Sequence, residues 1–208
     1  MQLLANTTSP FVRIARVAMI EMGIDIEPTL VDPWADDARL RAANTATRVP
    51  TLVLDDGTPL AECLLIVQWL ERTRPAPDWP SLTGQGAASA GILSRTGVAF
   101  GAIEAATITI ITRKVSAPVL FDETPVGLRR RRTMVDGLQR LDAQADAIAI
   151  AATGTPMLDA IAAVTLYDYQ QLRFGDQPWL PATPRLSALA KAWNVRPSLA
   201  RTRPYLPA

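Results

Sequence analysis

Residues 49–63 constrain the fold of this chain more than any other stretch. Thr51 to Leu54 is a run of β-branched and apolar residues that predicts a buried strand, and Asp56-Gly57 predicts a tight hairpin turn. From Glu62 onward the apolar residues recur at helical spacing. We therefore expect a strand, a turn, a short second strand and a helix in succession.

Two features of this stretch are unusual for a purely structural segment. Pro50 stands at the start of the predicted buried strand, although proline cannot donate a hydrogen bond to a sheet. Glu62 and Cys63 open the predicted helix, where free N–H groups and the positive end of the helix dipole suit a carboxylate. The stretch therefore contains candidates for a binding site.

Composition excludes several kinds of catalytic site. The 208 residues contain no histidine and a single cysteine. The lack of histidine excludes Ser-His-Asp triads, Cys-His dyads and histidine metal sites, and one cysteine excludes internal disulfides and CxxC motifs. Cysteine usage favours a reducing compartment, so we expect a cytoplasmic protein.

Charge and hydropathy argue against two classes of partner. A net charge of +1 gives no overall field for nucleic acid or a membrane surface. The four arginines at 129–132 have no interleaved aromatic residue, so we interpret them as a solvated helix face, with nucleic-acid binding as a minor alternative. The longest apolar run, near 108–111, is too short to span a bilayer, and no signal peptide is visible.

The first part of the chain predicts a mixed four-stranded sheet with helices on its faces. Beyond the hairpin, the predicted elements are a strand over 2–5, a helix from N-cap Ser9 and Pro10 to Gly23, a strand over 24–31 and a short helix over 36–43. Pro28 argues for a sheet edge at the strand over 24–31. The order is βαβαββα.

A proline-rich segment separates this part from an all-helical remainder. Three prolines lie within residues 75–80 and glycines follow at 84 and 86, which predicts a linker over 75–86. The predicted helices beyond it cover 87–114, run from Pro125 towards 151, begin at Pro156 with Thr155 as N-cap, and follow Pro184. We therefore predict an α/β domain over 1–74 and an all-α domain over 87–208.

This organisation and four motifs resemble a soluble, bacterial-type glutathione S-transferase with a serine in its active-site loop. The motifs are Thr8-Ser9-Pro10-Phe11-Val12-Arg13, Arg48-Val49-Pro50, Leu60-Ala61-Glu62-Cys63-Leu64-Leu65-Ile66, and the terminal run from Pro184-Arg185-Leu186 to Arg196-Pro197-Ser198. The resemblance covers nearly the whole chain. It implies a thioredoxin-like βαβαββα domain followed by a helical bundle, a homodimer, and glutathione as a substrate without a metal.

The resemblance also implies a set of site residues. Glutathione would contact Ser9, Phe11, Arg48, Val49, Pro50, Glu62 and Cys63, and a hydrophobic electrophile would lie between the two domains near Phe100, Ile103 and Glu104. In this family the proline at position 50 is cis, which turns the backbone of Val49 outward to pair with glutathione.

The charged groups of glutathione also have implied partners. Glu62 would meet the γ-glutamyl ammonium and Cys63 the adjacent α-carboxylate. Arg48, with Arg13 as a second candidate, would counter the glycyl carboxylate or steer the anion into the site. Purely structural roles are the alternatives: Glu62 can simply complement a helix dipole, and Cys63 can be a small buried apolar residue.

Ser9 is the residue implied to act on the thiol. A hydrogen bond from its hydroxyl would favour the thiolate, which is the nucleophile. The same position predicts an ordinary helix N-cap, and the sequence leaves both interpretations open.

The chain departs from the family pattern at several positions. Cys63 replaces the usual serine, and at a helix N-terminus we expect its thiol pKa to be depressed and glutathione to protect it from thiol reagents. The usual Asn-Pro-x-Gly run reads 44–47 Asn-Thr-Ala-Thr, and the Ser-x-x-Asp capping box reads 156–159 Pro-Met-Leu-Asp. No tyrosine lies near the first strand in the sequence, which excludes a tyrosine-type enzyme, and Ser9 excludes the omega-type cysteine.

The predicted function is conjugation of glutathione thiolate to a small hydrophobic electrophile. The alternative is a non-catalytic protein of the same fold that binds or regulates through protein contacts. Detectable conjugation distinguishes the two.

Overall fold

The computed structural model describes residues 1–116, 118, 120–151 and 154–206. They form two compact units, one of Met1–Leu82 together with the segment that begins at Pro197, and one of Thr83–Arg196. This division differs from the predicted boundaries at 74 and 87. Most of the proline-rich segment and the C-terminal segment belong to the first unit.

The proline-rich segment joins the first unit through Trp79. The Trp79 ring lies over Gly23, where a Cβ atom would approach it to 2.3 Å, so only glycine fits at this position. Arg74 stacks on the same ring with its Cζ 5.1 Å from the centroid, and the Ser81 hydroxyl donates to Glu71 at 3.2 Å. These contacts explain why Leu82, rather than residue 74, ends the unit.

Polar contacts hold the C-terminal segment onto the first unit. The buried guanidinium of Arg13 donates to the Leu199 carbonyl oxygen at 3.2 Å, and Arg201 forms an ion pair with Asp25 at 2.8 Å. Arg13, a candidate for the glycyl carboxylate, is therefore buried and serves the fold.

The first unit has the predicted βαβαββα order. Its described strands are β1 (Gln2–Ala5), β2 (Thr29–Leu30), β3 (Thr51–Val53) and β4 (Pro59–Ala61), in the sheet order β2-β1-β3-β4. Its helices are α1 (Pro10–Glu21), α2 (Ala38–Ala43) and α3 (Cys63–Thr73). β1 is parallel to β2 and antiparallel to β3, and β4 is antiparallel to β3. The thioredoxin-like prediction is confirmed.

Local signals account for most of these boundaries. α1 begins at Pro10 after Ser9, whose Oγ accepts from Val12 N at 3.2 Å, and Gly23 follows with φ of 75°. The predicted strand over 24–31 is shortened to Thr29–Leu30, which directly follow Pro28 and pair with β1.

The described residues of the second unit form helices and connecting loops, without a strand. Its helices are α4 (Ala87–Ser116), α5 (Pro125–Ala143), α6 (Ala145–Ala151), α7 (Leu158–Phe174) and α8 (Pro184–Trp193), with a 3₁₀ turn at Phe121–Glu123; a short α9 (Pro197–Ala200) lies in the first unit. The single predicted helix from Pro125 is broken at Gln144. Within the described ranges, no helix is both long and apolar enough to cross a bilayer.

The start of α7 differs from the prediction. Its N-cap position is Met157 rather than Thr155. Asp159 lies fully buried in the first turn, where its Oδ1 accepts from Ala160 N at 2.8 Å and its Oδ2 forms an ion pair with Arg95 of α4 at 2.7 Å. The acidic residue left from the replaced capping box is therefore held by a neighbouring helix.

The arginine run at 129–132 is only partly a solvated face. Arg129 and Arg132 are exposed, but Arg131 is half-buried and stacks on Trp179, with 5.6 Å from its Cζ to the ring centroid. The aromatic partner comes from a distant part of the sequence, so the local pattern could not show it.

Candidate functional site

The sheet register brings three chain segments to one edge of the first unit. β1 and β2 run parallel with Ala5 beside Leu30, so the loops that follow them leave the sheet on the same side. β3 begins on that side, since Thr51 pairs with Leu4, and β4 ends there, since Ala61 pairs with Thr51. We call this side, where β1 ends, the carboxyl edge.

The carboxyl edge collects the predicted glutathione residues of the first unit. They are Ser9 and Phe11 after β1, Arg48, Val49 and Pro50 before β3, and Glu62 and Cys63 after β4. The charged side chains of Arg48 and Glu62 are 74% and 59% exposed. Backbone, hydroxyl and charged groups of a suitable kind for a small zwitterionic peptide therefore lie along one edge.

The Val49–Pro50 peptide bond is cis, as the resemblance implies. Two polar side chains outside the predicted set fix the backbone beside it. The Thr51 hydroxyl donates to the Arg48 carbonyl oxygen at 2.8 Å, and the Asn44 amide donates to the same oxygen at 3.1 Å and to Thr51 Oγ1 at 3.0 Å. Asn44 lies in the run that departs from the family pattern. It is buried, and the sequence alone gives no indication of that burial.

Ser9 is a helix cap whose hydroxyl hydrogen is not used by the cap. Its Oγ accepts the hydrogen bond from Val12 N, and its own N–H donates to Asn6 Oδ1 at 2.8 Å. A serine hydroxyl that accepts one hydrogen bond still has its hydrogen to donate. The side chain is half-buried at the carboxyl edge. Capping and donation to a sulfur atom are thus compatible.

Glu62 has an unusual backbone conformation. Its φ of 68° is uncommon for a residue with a side chain, and such outliers often occur at functional sites. Within the described first unit its carboxylate caps no N–H group of α3. Its recorded ion pair, to Arg48 at 3.8 Å, joins two exposed groups and contributes at most about 1 kcal/mol. Glu62 is therefore not a side-chain cap of α3, although its charge lies at the N-terminus of that helix.

Cys63 corrects the expectation of a reactive thiol. The residue is 3% exposed, and burial, with a smaller contribution from the negative charge of Glu62, raises the pKa of the Cys63 thiol to about 12. The backbone hydrogen bonds at the start of α3 lower the pKa by less than burial raises it. The expectation of a depressed pKa is wrong because desolvation outweighs the helix N-terminus.

This placement predicts slow labelling of Cys63. Relative to the ordinary value of 9.0, a pKa of about 12 reduces the thiolate fraction at pH 8 about a thousandfold. Iodoacetamide should label the native protein at least a hundredfold more slowly than the same chain in denaturant, as measured by mass spectrometry. The native rate should already be this slow without glutathione. Fast native labelling that glutathione blocks would contradict the buried position.

The residues predicted for the second substrate all lie on α4 of the second unit. Phe100 is half-buried, Glu104 is exposed and Ile103 is fully buried. Ile103 therefore has no surface for a substrate to contact. No group of three or more histidine, cysteine, aspartate or glutamate residues that could hold a metal ion occurs in the described part of the chain.

Comparison with known proteins places these observations in a family context. The family model described as the glutathione S-transferase N-terminal domain matches residues 8–73, which include all the carboxyl-edge residues named above. An uncharacterized GST-like protein of Escherichia coli K12, YibF, is 26% identical over 204 residues, which is 98% of each chain.

Solved structures resemble the entire chain. A glutathione S-transferase from Methylobacterium radiotolerans in complex with glutathione sulfonate has a TM-score of 0.83 at 25% identity and covers 100% of this chain and 96% of its own. One from Methylobacillus flagellatus with glutathione bound has a TM-score of 0.84 at 25% identity, with 98% and 99% covered. A family member from Pseudomonas fluorescens Pf-5 with bound glutathione has a TM-score of 0.83 at 26% identity, with 99% of each covered.

Proposed function

We propose that this chain is a glutathione S-transferase that binds glutathione at the carboxyl edge and conjugates it to a small hydrophobic electrophile. The observation that supports this most is the meeting of Ser9, the cis Val49–Pro50 bond and Glu62-Cys63 on one side of the sheet. Structures of similar proteins with bound glutathione give further support.

Each group of the edge has a proposed role in binding. The Val49 backbone would pair with the cysteinyl part of glutathione as an added rung of sheet. The exposed Glu62 carboxylate would bind the γ-glutamyl ammonium and Arg48 the glycyl carboxylate. Because the Cys63 thiol is buried, the backbone N–H at Cys63 would meet the α-carboxylate at the start of α3.

The proposed chemistry needs only a stabilised thiolate. The Ser9 hydroxyl would donate its free hydrogen to the glutathione sulfur and favour loss of the thiol proton to solvent. The thiolate then attacks the electrophilic carbon, a C–S bond forms, and the leaving group departs with its electron pair.

A conjugation assay tests the proposal. The protein should accelerate the reaction of glutathione with a halogenated dinitrobenzene, and the rate should saturate with glutathione. Calorimetry on the same sample should show glutathione binding. Binding without turnover across several classes of apolar electrophile would favour the non-catalytic alternative. An absence of binding at millimolar glutathione would contradict the proposed enzymatic function.

We also propose a cytoplasmic homodimer, which yields a prediction about α3. Leu64 and Leu65 are 40% and 52% exposed on this helix. Two adjacent exposed leucines form an apolar patch of the kind that a second subunit would cover. Sedimentation at micromolar concentration should show twice the mass of the chain, and Leu65→Glu should shift it to monomer. Leu30→Glu, at an equally exposed position on β2, is the matched control and should stay dimeric. A monomeric wild type would contradict the proposal.

A further inference from the structure

The C-terminal segment returns to the loop that carries Ser9. The backbone N–H of Tyr205 donates to the carbonyl oxygen of Thr7 at 3.4 Å. Thr7 stands two residues before Ser9, and both Tyr205 and this loop belong to the first unit. A tyrosine therefore lies beside the loop after β1, although none is near that strand in the sequence.

The position of Tyr205 is set by anchors immediately before it. Thr202 is buried and its hydroxyl donates to the Ser198 carbonyl oxygen at 2.8 Å. Arg201 pairs with Asp25, and Arg13 holds the Leu199 carbonyl oxygen. The segment thus reaches the Ser9 loop from a fixed point three residues away.

The side chains of Tyr205 and Leu206 lie on the surface and not in the core. Tyr205 is 58% exposed and Leu206 is 54% exposed. Ligand sites combine apolar and aromatic walls with a few polar groups, and a tyrosine offers a large ring at low conformational cost. Tyr205, bonded through its backbone to a loop of polar residues, and its exposed neighbour Leu206 have the composition of such a wall.

We infer that Tyr205 is a specificity-determining residue, whose ring packs against the apolar group that the electrophile adds to the glutathione sulfur. This inference rests on the proposed function, because it requires the sulfur to lie near Ser9. It adds a wall from the C-terminal segment of the first unit to the site, in addition to the α4 residues that the family resemblance suggests. It therefore predicts discrimination between glutathione and its S-aryl conjugates.

Calorimetry with two ligands tests the inference. Glutathione and S-benzylglutathione are titrated into the wild type, Tyr205→Ala and Tyr205→Phe. Tyr205→Ala should weaken binding of S-benzylglutathione about fivefold, within the usual range for an aromatic contact, and change the affinity for glutathione less than about twofold. Tyr205→Phe keeps the ring and should bind both ligands as the wild type does.

Each outcome separates the inference from the function on which it rests. If the wild type binds neither ligand, the proposed function fails and the inference fails with it. If glutathione binds and Tyr205→Ala leaves the ratio of the two affinities unchanged, the inference alone is overturned. An equal loss in Tyr205→Phe would overturn the assignment to the ring. Val195→Ala is a control that removes an 81% exposed apolar side chain from the second unit, and it should leave the ratio of the two affinities unchanged. If Val195→Ala weakens S-benzylglutathione binding as much as Tyr205→Ala does, the inference is also overturned.

Discussion

Replacing Ser9 with glycine should reduce kcat for conjugation about a hundredfold or more while glutathione still binds. The hydroxyl hydrogen that the α1 cap leaves available is the proposed donor to the sulfur, and one such electrostatic donor contributes on the order of a hundredfold in rate. Because the donor acts on the reacting thiolate, kcat should fall more than the affinity for glutathione. Glycine is a tolerable N-cap, so the melting temperature should change by only a few degrees.

The chain offers a matched control for the loss of a cap. Thr124 caps α5 with its side chain, since its Oγ1 accepts from Gly127 N at 3.0 Å, and its hydroxyl also donates to the Phe121 carbonyl oxygen at 2.7 Å. Thr124→Gly removes both hydrogen bonds, so it should lower stability at least as much as Ser9→Gly and leave kcat unchanged. If Ser9→Gly keeps its kcat, Ser9 is only the cap, and the role on sulfur moves to Asn6, Thr7, Thr8 or a backbone N–H.

Asp159→Ala should destabilise the protein by about 3–5 kcal/mol. Asp159 is 0% exposed and its partner Arg95 is 15% exposed, so the substitution leaves a guanidinium without a charge partner at a largely buried site. Burial raises the pKa of the Asp159 carboxyl, despite the opposing hydrogen bond from Arg95, so the charged form is costly to hold here. Urea unfolding followed by circular dichroism measures the loss.

Two further variants show whether the loss comes from an unpaired charge. Replacing both partners, Arg95→Met with Asp159→Leu, should recover much of the stability, because a buried ion pair is often no better than an apolar pair. Asp25→Ala breaks the ion pair to Arg201, in which both side chains are about half exposed, and should cost at most about 1 kcal/mol. A loss of under 1 kcal/mol in Asp159→Ala would contradict this account.

The sequence predicts the elements whose signals are local. Ser9, Pro10 and Gly23 bound α1 because caps depend on neighbouring backbone groups, and Asp56-Gly57 marks the hairpin for the same reason. The order of elements then follows, and it brings the predicted site residues of the first unit to one edge through the sheet register. The family resemblance added the cis bond at Pro50, which local pattern alone does not predict.

What the sequence could not predict depends on distant contacts. The pKa of Cys63 is a balance between desolvation and the start of α3, and only the packed structure shows that desolvation is larger. The roles of Asn44 and Arg13 depend on burial, and the return of Tyr205 to the Ser9 loop depends on polar contacts across the whole chain. Such residues look like ordinary loop or helix positions in the sequence.

A crystal structure determined with glutathione tests the proposed binding mode. We expect glutathione along the carboxyl edge, with its cysteinyl backbone paired to Val49, its ammonium at Glu62 and its sulfur within hydrogen-bonding distance of Ser9 Oγ. Glutathione bound elsewhere, or at this edge with its sulfur beyond reach of Ser9, would contradict it.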